Sequence, residues 1–535
     1  MSSTVNYRID PLTKENWDTW KLQAQAILIK SGLWKFVNGT EKYPHSFPVL
    51  KEKFNADGTL ERKKARLVAR GFTQRPNVDF AETYAPVAKL SSIRLLLGIA
   101  AEKGLMVSQM DVITAYLNGD LDEDVYMAIP ENLKQYLQEI VVEESQNETV
   151  FEKARKALND LRNGDKEKVC HLKKAIYGLR QAGRQWFKKL DSKLKEIGFN
   201  PSIADPCIYR SSTGGGEIIA VYVDDLIILT KDQAGYEKLK SILLKCFDMR
   251  DLGSLNYCLG IQFSCKNECV SANQSKYIDK LLEKYQMTDC KPIGTPMDPK
   301  TKLEKATDCD QQSYPYQNLI GALMYLSVAT RPDISYTVSY LSQFNNSFGK
   351  EHWQAAKRVL KYLKGTKEMS LLYRKTSQPI VGYTDADWGS CTIDRRSYSG
   401  FCFIFAGSPI CWAAKKQTTV ALSTAEAEYA AIAESTKEAL HLKQLSMDLD
   451  ITQNKIVIHN DNQAAQHMAA NPIISSKSKH VAIRINFVRE VIERGDVELK
   501  YVSTDLMTAD VLTKALAKPR HQELIANMGL TTDHS

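Results

Sequence analysis

The chain has 535 residues, of which 43 % are hydrophobic and 25 % charged, and its formal net charge at pH 7 is +8. This is the mixture of ordinary globular domains, and the length predicts about three or four of them. The mild basicity permits an anionic partner such as nucleic acid but does not require one.

Neither a disulfide framework nor a membrane span is indicated. The eleven cysteines are scattered, and no His or further Cys follows Cys265 and Cys269 at zinc-knuckle spacing, so reduced thiols are favoured over a metal site. Residues 1–11 lack the basic-then-apolar order of a signal peptide, and the apolar run at 217–230 is too short to span a bilayer. We therefore expect a soluble, intracellular protein without a membrane partner.

The first predicted elements are a short helical block and a hairpin. Apolar residues and tryptophans follow helical spacing over residues 17–34, and Pro44 and Pro48 then interrupt the pattern. The segment Asn55–Gly58 predicts a turn. The segment Lys64–Ala69 predicts a strand in which basic and apolar residues alternate.

A helix is predicted over Leu90–Glu102 because that stretch is almost continuously apolar. Residues 132–168 are rich in Glu, Lys, Asn and Gln, and predict a helical, solvated insertion. An amphipathic helix is expected over Ala182–Ile197. A strand, a turn and a strand are expected at Cys207–Tyr209, Gly214–Gly216 and Ile218–Leu229.

Further amphipathic helices with basic faces are predicted at 275–285 and 354–363. A last block begins near Ile380. It contains strand patterns at 381–383, 400–405 and 456–459, and a helical pattern from Thr424 to about Leu445.

Two adjacent acids, Asp224 and Asp225, interrupt the apolar hairpin 219–229. Buried carboxylates are costly unless they are paired or bind metal, although Asp also favours plain turns. Asp111 ends a second apolar strand. Carboxylates from separate strands that meet at one point are what two-metal phosphoryl transfer requires, and magnesium prefers such hard oxygen ligands.

The motif that contains this pair of acids is one of eight stretches that together point to a family. They are KARLVARGFTQ (64–74), ETYAPVAKLSSIR (82–94), QMDVITAYLNGDL (109–121), IYGLRQAGRQW (176–186), ADPCIY (204–209), YVDD (222–225), DLGSLNYCLGIQF (251–263) and IGALMYLSVATRPDISY (320–336). In this order they resemble the reverse transcriptase of copia-type LTR retrotransposons, and the resemblance runs from about residue 50 to residue 515.

The resemblance implies that Asp111, Asp224 and Asp225 are the polymerase metal ligands, with Asp225 the more peripheral. It also implies that Lys64 and Arg66 hold the incoming triphosphate, for which Lys offers a point charge and Arg a bidentate fork. A solvated basic strand face is the alternative for these two.

The resemblance further places Tyr116 beneath the sugar of the incoming nucleotide, where its ring would exclude a ribose 2′-hydroxyl. A plain core aromatic is an equally good interpretation. The stretch 257–262 resembles the primer grip, which positions the 3′-end of the primer.

The last block resembles the retrotransposon ribonuclease H domain through the acids of YTDAD (383–387), STAEAEYAA (423–431), HNDNQ (459–463) and TADVL (508–512). The resemblance implies the ligands Asp385, Glu428, Asp461 and Asp510. Glu428 is preferred over Glu426 because the two residues are two positions apart, which places Glu426 on another face of the helix. Each acid alone could instead be a surface residue or a cap.

The implied fold class is multidomain α+β and α/β: a right-hand polymerase with fingers, palm and thumb, then a connection segment and a ribonuclease H-like mixed-sheet domain. The expected domains are a Gag-like fragment (1–43), fingers and palm (50–265, with the insertion 132–168), thumb and connection (266–375), ribonuclease H (376–520) and a tail (521–535). The rest of Gag, a protease motif and an integrase are not recognisable, which indicates a truncated element.

The expected function is RNA- and DNA-directed DNA polymerisation with ribonuclease H cleavage of hybrids, using two Mg²⁺ per active site, or Mn²⁺. The implied partners are an RNA template, a DNA primer, the RNA–DNA hybrid and deoxynucleoside triphosphates, and the oligomeric state stays open. The implied location is cytoplasmic, in a virus-like particle, and also nuclear. The alternative is an inactive or co-opted retroelement relic that binds nucleic acid without turnover.

Overall fold

The computed structural model describes residues 49–54, 60–130, 133–143, 148–162, 169–212, 214–266, 268–306, 314–451, 453–470 and 482–532. The Gag-like fragment and the turn predicted at 55–58 lie outside these residues. Among the helices within them, none has the length and apolar character needed to cross a membrane.

The strands are β1 (Val49–Phe54), β2 (Leu60–Arg66), β3 (Met106–Val112), β4 (Asp120–Ala128), β5 (Val169–Lys174), β6 (Phe199–Pro201), β7 (Ile208–Ser211), β8 (Ile218–Tyr222), β9 (Asp225–Thr230), β10 (Met249–Ser254), β11 (Tyr257–Cys258), β12 (Ile261–Lys266), β13 (Cys269–Asn273), β14 (Ser370–Tyr373), β15 (Val381–Asp387), β16 (Tyr398–Phe405), β17 (Ser408–Lys416), β18 (Ile456–Asn460), β19 (Val497–Tyr501) and β20 (Leu530–Thr531).

The α-helices are α1 (Leu90–Lys103), α2 (Leu133–Glu143), α3 (Glu148–Arg162), α4 (Ala182–Glu196), α5 (Gln233–Cys246), α6 (Ser275–Lys284), α7 (Tyr316–Ala329), α8 (Ser335–Ser342), α9 (Lys350–Gly365), α10 (Thr424–Asp448), α11 (Gln463–Ala470), α12 (Ala482–Glu493) and α13 (Lys518–Met528). Short 3₁₀ helices include Ala115–Asn118, Pro332–Ile334 and Thr508–Leu512.

The chain divides into two compact units. The first unit comprises the residues up to Val87 together with Asp111–Phe199 and Ser241–Arg250. The second comprises Ala88–Met110, Asn200–Lys240 and the residues from Asp251 onward.

The first unit contains two antiparallel strand pairs, β1 with β2 and β4 with β5. The predicted strand at 64–69 ends early, at Arg66, because the chain then turns so that the Ala69 amide donates to the carbonyl of Tyr177. Helices α2 and α3 pack on each other through a small apolar cluster of their own, so the helical character predicted for the insertion is confirmed.

The second unit contains most of a six-stranded sheet with the order β10-β3-β9-β8-β7-β6. Helix α1 in the same unit is buried around nearly its whole circumference, as its continuous apolar sequence predicts, and it ends where Gly104 adopts a left-handed conformation with φ +62°. The palm-type α+β arrangement expected from the sequence is therefore present.

A third group of elements, also in the second unit, joins helices to a small sheet. Helices α6 to α9 share one large apolar core, and strands β11, β12, β13, β14 and β20 form an antiparallel sheet in that order. Most of the predicted tail is ordered into this arrangement: α13 spans Lys518–Met528, and Leu530 in β20 pairs with Leu371 in β14.

The last sheet has the order β17-β16-β15-β18-β19. Strands β15, β16 and β17 are antiparallel, whereas β18 and β19 run parallel to β15. Helix α10 packs against this sheet and shares an apolar cluster with α11 and α12. This mixed sheet with its long helix is the ribonuclease H-like architecture that the sequence predicts.

Candidate active sites

The YVDD turn is a tight, strained hairpin. Tyr222 pairs with Asp225 across the ladder of β8 and β9, which leaves Val223 and Asp224 as the two turn residues. Val223 has φ +59°, a conformation that β-branched residues rarely adopt. Such strain is typical of functional sites that the surrounding fold holds in place. Here the support is β8 and β9, whose residues Ile218–Val221 and Leu226–Thr230 are buried.

Asp225 is oriented by a residue that sequence reasoning missed. The buried side-chain amide of Gln109, on β3, donates a 3.0 Å hydrogen bond to a carboxylate oxygen of Asp225. The signal was available, because Gln109 lies two positions before Asp111 and therefore on the same face of the strand. Asp224 itself is half-buried.

Asp111 lies at the end of β3 in the first unit, whereas Asp224 and Asp225 lie in the second. The proximity of these three carboxylates thus stays a prediction. Tyr116, in the first unit, is half-buried, and its ring centroid lies 5.0 Å from that of Tyr177. These contacts suit a packed aromatic, and the predicted role beneath a sugar stays untested.

Lys64 and Arg66 lie on β2, where their backbones pair with Lys51 and Val49 of β1. Their side chains fall outside the described part of the structure, so their contact with a triphosphate also stays a prediction. The predicted primer grip forms the hairpin of β11 and β12, with Leu259 and Gly260 at its turn.

In the ribonuclease H-like sheet, three predicted acids converge. Carboxylate oxygens of Asp385, Glu428 and Asp461 all lie within 4.8 Å of one another. Asp385 lies near the end of β15, Glu428 on the second turn of α10, and Asp461 directly after β18. Because β15 and β18 are adjacent and parallel, their ends present side chains at the same edge of the sheet.

Glu428, rather than Glu426, reaches this cluster because Glu426 caps the helix. The Ser423 hydroxyl accepts a hydrogen bond from the Glu426 amide, and the Glu426 carboxylate accepts one of 2.8 Å from the Leu422 amide. This exchange resembles a capping box, shifted by one residue, and it holds Glu426 at the start of α10.

Asp510, the fourth predicted acid, lies on the 3₁₀ helix Thr508–Leu512 and is buried. One of its oxygens lies 2.8 Å from the ammonium of Lys514, which is also 3.6 Å from Asp385. Burial and the charge of Asp385 raise the pKa of Asp510 to about 6, against the opposing effect of Lys514. The structure therefore brings the four predicted acids of this domain into one charged cluster.

The positive charge near the cluster is too small to balance the negative charge of its carboxylates. Burial, together with the charges of Asp385 and Asp461, raises the pKa of Glu428 to about 9. Burial also raises the pKa of Asp387, which lies close to Asp385. A site that holds several buried carboxylates at this cost is suited to a divalent cation, and three hard oxygen donors match the preferences of Mg²⁺ or Mn²⁺.

Four supporting residues of this cluster were not predicted. Asn460, fully buried, donates to Glu428 at 3.0 Å and to the Thr384 carbonyl at 3.1 Å. The Thr504 hydroxyl donates to Asp461 at 2.7 Å, and the Thr513 hydroxyl donates to Asp385. Lys514 is the fourth. Asn460 could have been found from its place beside Asp461, whereas the sequence carries no signal for the others.

Comparisons with known proteins agree with the sequence motifs. A family model described as reverse transcriptase (RNA-dependent DNA polymerase) matches residues 41–142 and 133–299. A retrovirus-related Pol polyprotein from transposon TNT 1-94 of Nicotiana tabacum is 38 % identical over 485 residues, which are 89 % of this chain and 34 % of that protein. This chain thus spans about a third of the length of the first curated relatives it matches.

A shorter relative is matched along its whole length. A transposon Ty5-1 protein of Saccharomyces cerevisiae is 32 % identical over 334 residues, which are 62 % of this chain and 100 % of that protein. Among solved structures, a foamy viral protease-reverse transcriptase in complex with dsDNA aligns with a TM-score of 0.40 and 13 % identity, covering 94 % of this chain and 85 % of that one. From the sequence relatives, the chain belongs to the reverse transcriptase family of copia-type retrotransposon Pol polyproteins.

Proposed function

We propose that this chain is an RNA- and DNA-directed DNA polymerase that also cleaves the RNA strand of RNA–DNA hybrids. The observation that carries the proposal is the convergence of Asp385, Glu428 and Asp461 at one edge of the mixed sheet, with Asp510 beside them. Family membership and the strained YVDD turn support the polymerase half.

In the ribonuclease half, the protein's own contribution is to hold carboxylates where phosphate charge would develop. Asn460 and Thr504 fix the orientation of Glu428 and Asp461 through hydrogen bonds of 3.0 and 2.7 Å. Bound divalent ions would supply an activated hydroxyl nucleophile and neutralise the developing charge at the phosphate. The donor sets suit Mg²⁺, with Mn²⁺ as a substitute.

In the polymerase half, Asp224 and Asp225 sit on a hairpin whose strands are buried, and Gln109 holds Asp225. On the motif match alone, we propose that Asp111 completes this ligand set and that Lys64 and Arg66 receive the triphosphate. Tyr116 is proposed to select deoxynucleotides. We further propose the cytoplasm, inside a particle, as the place of action.

Template and hybrid would be bound mainly through phosphates, so binding should weaken as salt concentration rises. The hybrid would be recognised by its shape and backbone, with little base specificity.

The test is a pair of assays on the full chain. Primer extension on an RNA template with magnesium and deoxynucleotides should be lost in Asp224→Asn, while cleavage of a preformed hybrid is retained. Asp461→Asn should show the reverse. Asp289→Asn, an exposed carboxylate outside both clusters, is the matched control and should change neither activity.

If the wild-type chain binds hybrid but neither extends nor cleaves, the relic interpretation replaces this proposal. If Asp224→Asn leaves extension unchanged, the assignment of the polymerase site is wrong.

A further inference from the structure

The acid cluster of the ribonuclease H-like domain is neutralised unevenly. Among the described residues, its ion pairs end on Asp385 and Asp510, and none ends on Glu428 or Asp461. The cluster therefore has one side, Asp385 with Asp510, that already contacts a protein cation. On the other side, Glu428 and Asp461 converge with Asp385, and neither Glu428 nor Asp461 has an ion pair among the described residues.

The cation on the first side is Lys514. Its ammonium lies 2.8 Å from Asp510 and 3.6 Å from Asp385, and both carboxylate side chains are at most 5 % exposed. Lys514 is placed there by local geometry, because it lies four residues after Asp510 and directly after Thr513, whose hydroxyl donates to Asp385. A more distant cation, Arg520, approaches Asp510 to 3.6 Å.

We propose that the Lys514 ammonium occupies the position of the second divalent cation in the free protein. One ion would bind among Asp385, Glu428 and Asp461, whereas a second would bind between Asp385 and Asp510 only after Lys514 is displaced. The inference rests on the proposed ribonuclease function, because it assigns an order of ion binding to that same site. Lys514 is a positioning residue here and not a catalytic one.

The physical reason is charge competition. An ammonium within hydrogen-bonding distance of a buried carboxylate satisfies much of the charge that would otherwise attract an ion, and it repels a divalent cation at the same place. The side chain is 34 % exposed and lies just after the 3₁₀ helix Thr508–Leu512, so it can move out to solvent without unfolding that helix. A phosphate of bound nucleic acid would offer the displaced ammonium an alternative partner.

The test is Mn²⁺ binding to the full chain without nucleic acid, measured by calorimetry and by electron paramagnetic resonance. Ions bound at the YVDD turn contribute equally to every variant, so differences between variants isolate the second cluster. Lys514→Met should bind the second ion at least about tenfold more tightly than the wild type. Two ions bound side by side should also show spin coupling that the wild type lacks at the same concentration.

Three variants serve as controls. Lys514→Arg keeps the positive charge and should bind ions as the wild type does. Lys437→Met removes an exposed lysine of α10, paired with Glu434 at 2.8 Å, and should have no effect. Lys514→Gln keeps a hydrogen-bond donor without the charge, so it should behave as Lys514→Met and provides a second variant if the latter folds poorly.

Thermal unfolding gives an independent readout. Without metal, Lys514→Met should melt at a lower temperature than the wild type, because Asp385 and Asp510 lose their cation. Saturating Mn²⁺ should close that gap. The inference would be overturned if the wild type and Lys514→Met had equal melting temperatures both without metal and with Mn²⁺. It would also be overturned if the wild type and Lys514→Met bound the second ion with equal affinity.

Asp461→Asn distinguishes this failure from failure of the proposed function. If Asp461→Asn loses one bound ion but Lys514→Met changes nothing, the metal centre stands and the role of Lys514 is wrong. If the wild type and Asp461→Asn bind the same number of ions, the metal centre itself is wrong and the inference fails with it.

Discussion

Asn460 donates a hydrogen bond of 3.0 Å to Glu428 while the same amide nitrogen donates to the carbonyl of Thr384. Its side-chain oxygen accepts from the amide of Asn462, so one buried side chain links β15, α10 and the turn that carries Asp461. Asn460→Asp would add a further carboxylate to those of Asp385 and Asp461 that already lie beside Glu428. We expect hybrid cleavage to fall by about 10- to 100-fold, the usual effect of losing a partner that orients a metal ligand.

Stability and metal dependence separate this positioning role from general damage. Asn460→Asp should lower the free energy of unfolding by about 1–3 kcal/mol, because buried acceptors lose their donor. It should also raise the Mg²⁺ concentration needed for half-maximal cleavage, with primer extension retained. Asn454→Asp, at an exposed asparagine of the same domain, is the control. An unchanged Mg²⁺ requirement would contradict the assignment.

Arg331 and Asp333, in the stretch ATRPDISY, form a fully buried bidentate ion pair with nitrogen–oxygen distances of 2.9 and 2.6 Å. The Tyr362 hydroxyl also donates to Asp333, at 2.7 Å. Asp333→Asn would leave Arg331 with an uncompensated buried charge, so we expect unfolding to become easier by about 3–5 kcal/mol. Thermal and urea unfolding measure this. The double variant Arg331→Met, Asp333→Leu should be less destabilised than Asp333→Asn.

The same pair predicts a pH dependence. Burial alone would raise the pKa of Asp333, but the charge and hydrogen bonds of Arg331 and the hydroxyl of Tyr362 lower it below the usual value. Because the folded pKa lies below the unfolded value of about 3.9, the stabilisation is present above that pH and is lost as the pH falls through the folded pKa. The stability difference between the wild type and Asp333→Asn should therefore shrink in acid. A difference that grows in acid would contradict the ion pair.

Arg94, at the end of the stretch ETYAPVAKLSSIR, joins three elements of the second unit. Its buried guanidinium donates to the carbonyls of Val328 and Ala329 at the end of α7 and of Ile410 on β17, at 2.7 to 2.9 Å, and lies 3.8 Å from the ring centroid of Trp412. Arg94→Met would orphan these carbonyls, and we expect a loss of at least about 3 kcal/mol.

Arg94→Lys should recover only part of that loss, because an ammonium cannot reproduce the planar fork or its stacking on indole. Thermal unfolding compares the two variants. Equal stability of Arg94→Lys and the wild type would show that charge alone is sufficient at this position.

Much of this fold could be predicted from local sequence patterns. Helices α1, α4 and α10 lie within a few residues of their predicted bounds, because long apolar or amphipathic runs define them. The acids of the second cluster were identified from their motifs. What brings them together, the parallel pairing of β15 with β18, depends on contacts between residues more than seventy positions apart.

The partners of the site were harder to predict for the same reason. The position of Lys514 in the acid cluster could not be predicted, because most lysines are solvated surface residues. Gln109 and Arg94 lay inside recognised stretches, yet a motif identifies a segment without showing which of its polar residues are buried. No element was assigned to the tail, because α13 and β20 depend on packing against β14 and the apolar core.

The hairpin of β11 and β12 turns through Gly260, which has φ +73° and lies against the side chain of Tyr325. A Cβ atom at this position would overlap the tyrosine hydroxyl, which donates to the carbonyl of Leu259. Gly260→Ala therefore combines a left-handed backbone, costing about 1–2 kcal/mol for a residue with a side chain, with a steric clash. If the hairpin is the primer grip, primer affinity and extension should fall and hybrid cleavage should be unaffected.

Gly253→Ala is the matched control, because Gly253 has φ +71° but open space around its Cβ position. Both variants carry the free-energy cost of a left-handed backbone at an alanine. Any additional loss of extension in Gly260→Ala therefore comes from displacing Tyr325. Adding Tyr325→Phe to Gly260→Ala removes the hydroxyl and should restore part of the primer affinity. If both alanine variants lose extension equally, backbone strain accounts for the effect, and contact with Tyr325 does not position the hairpin.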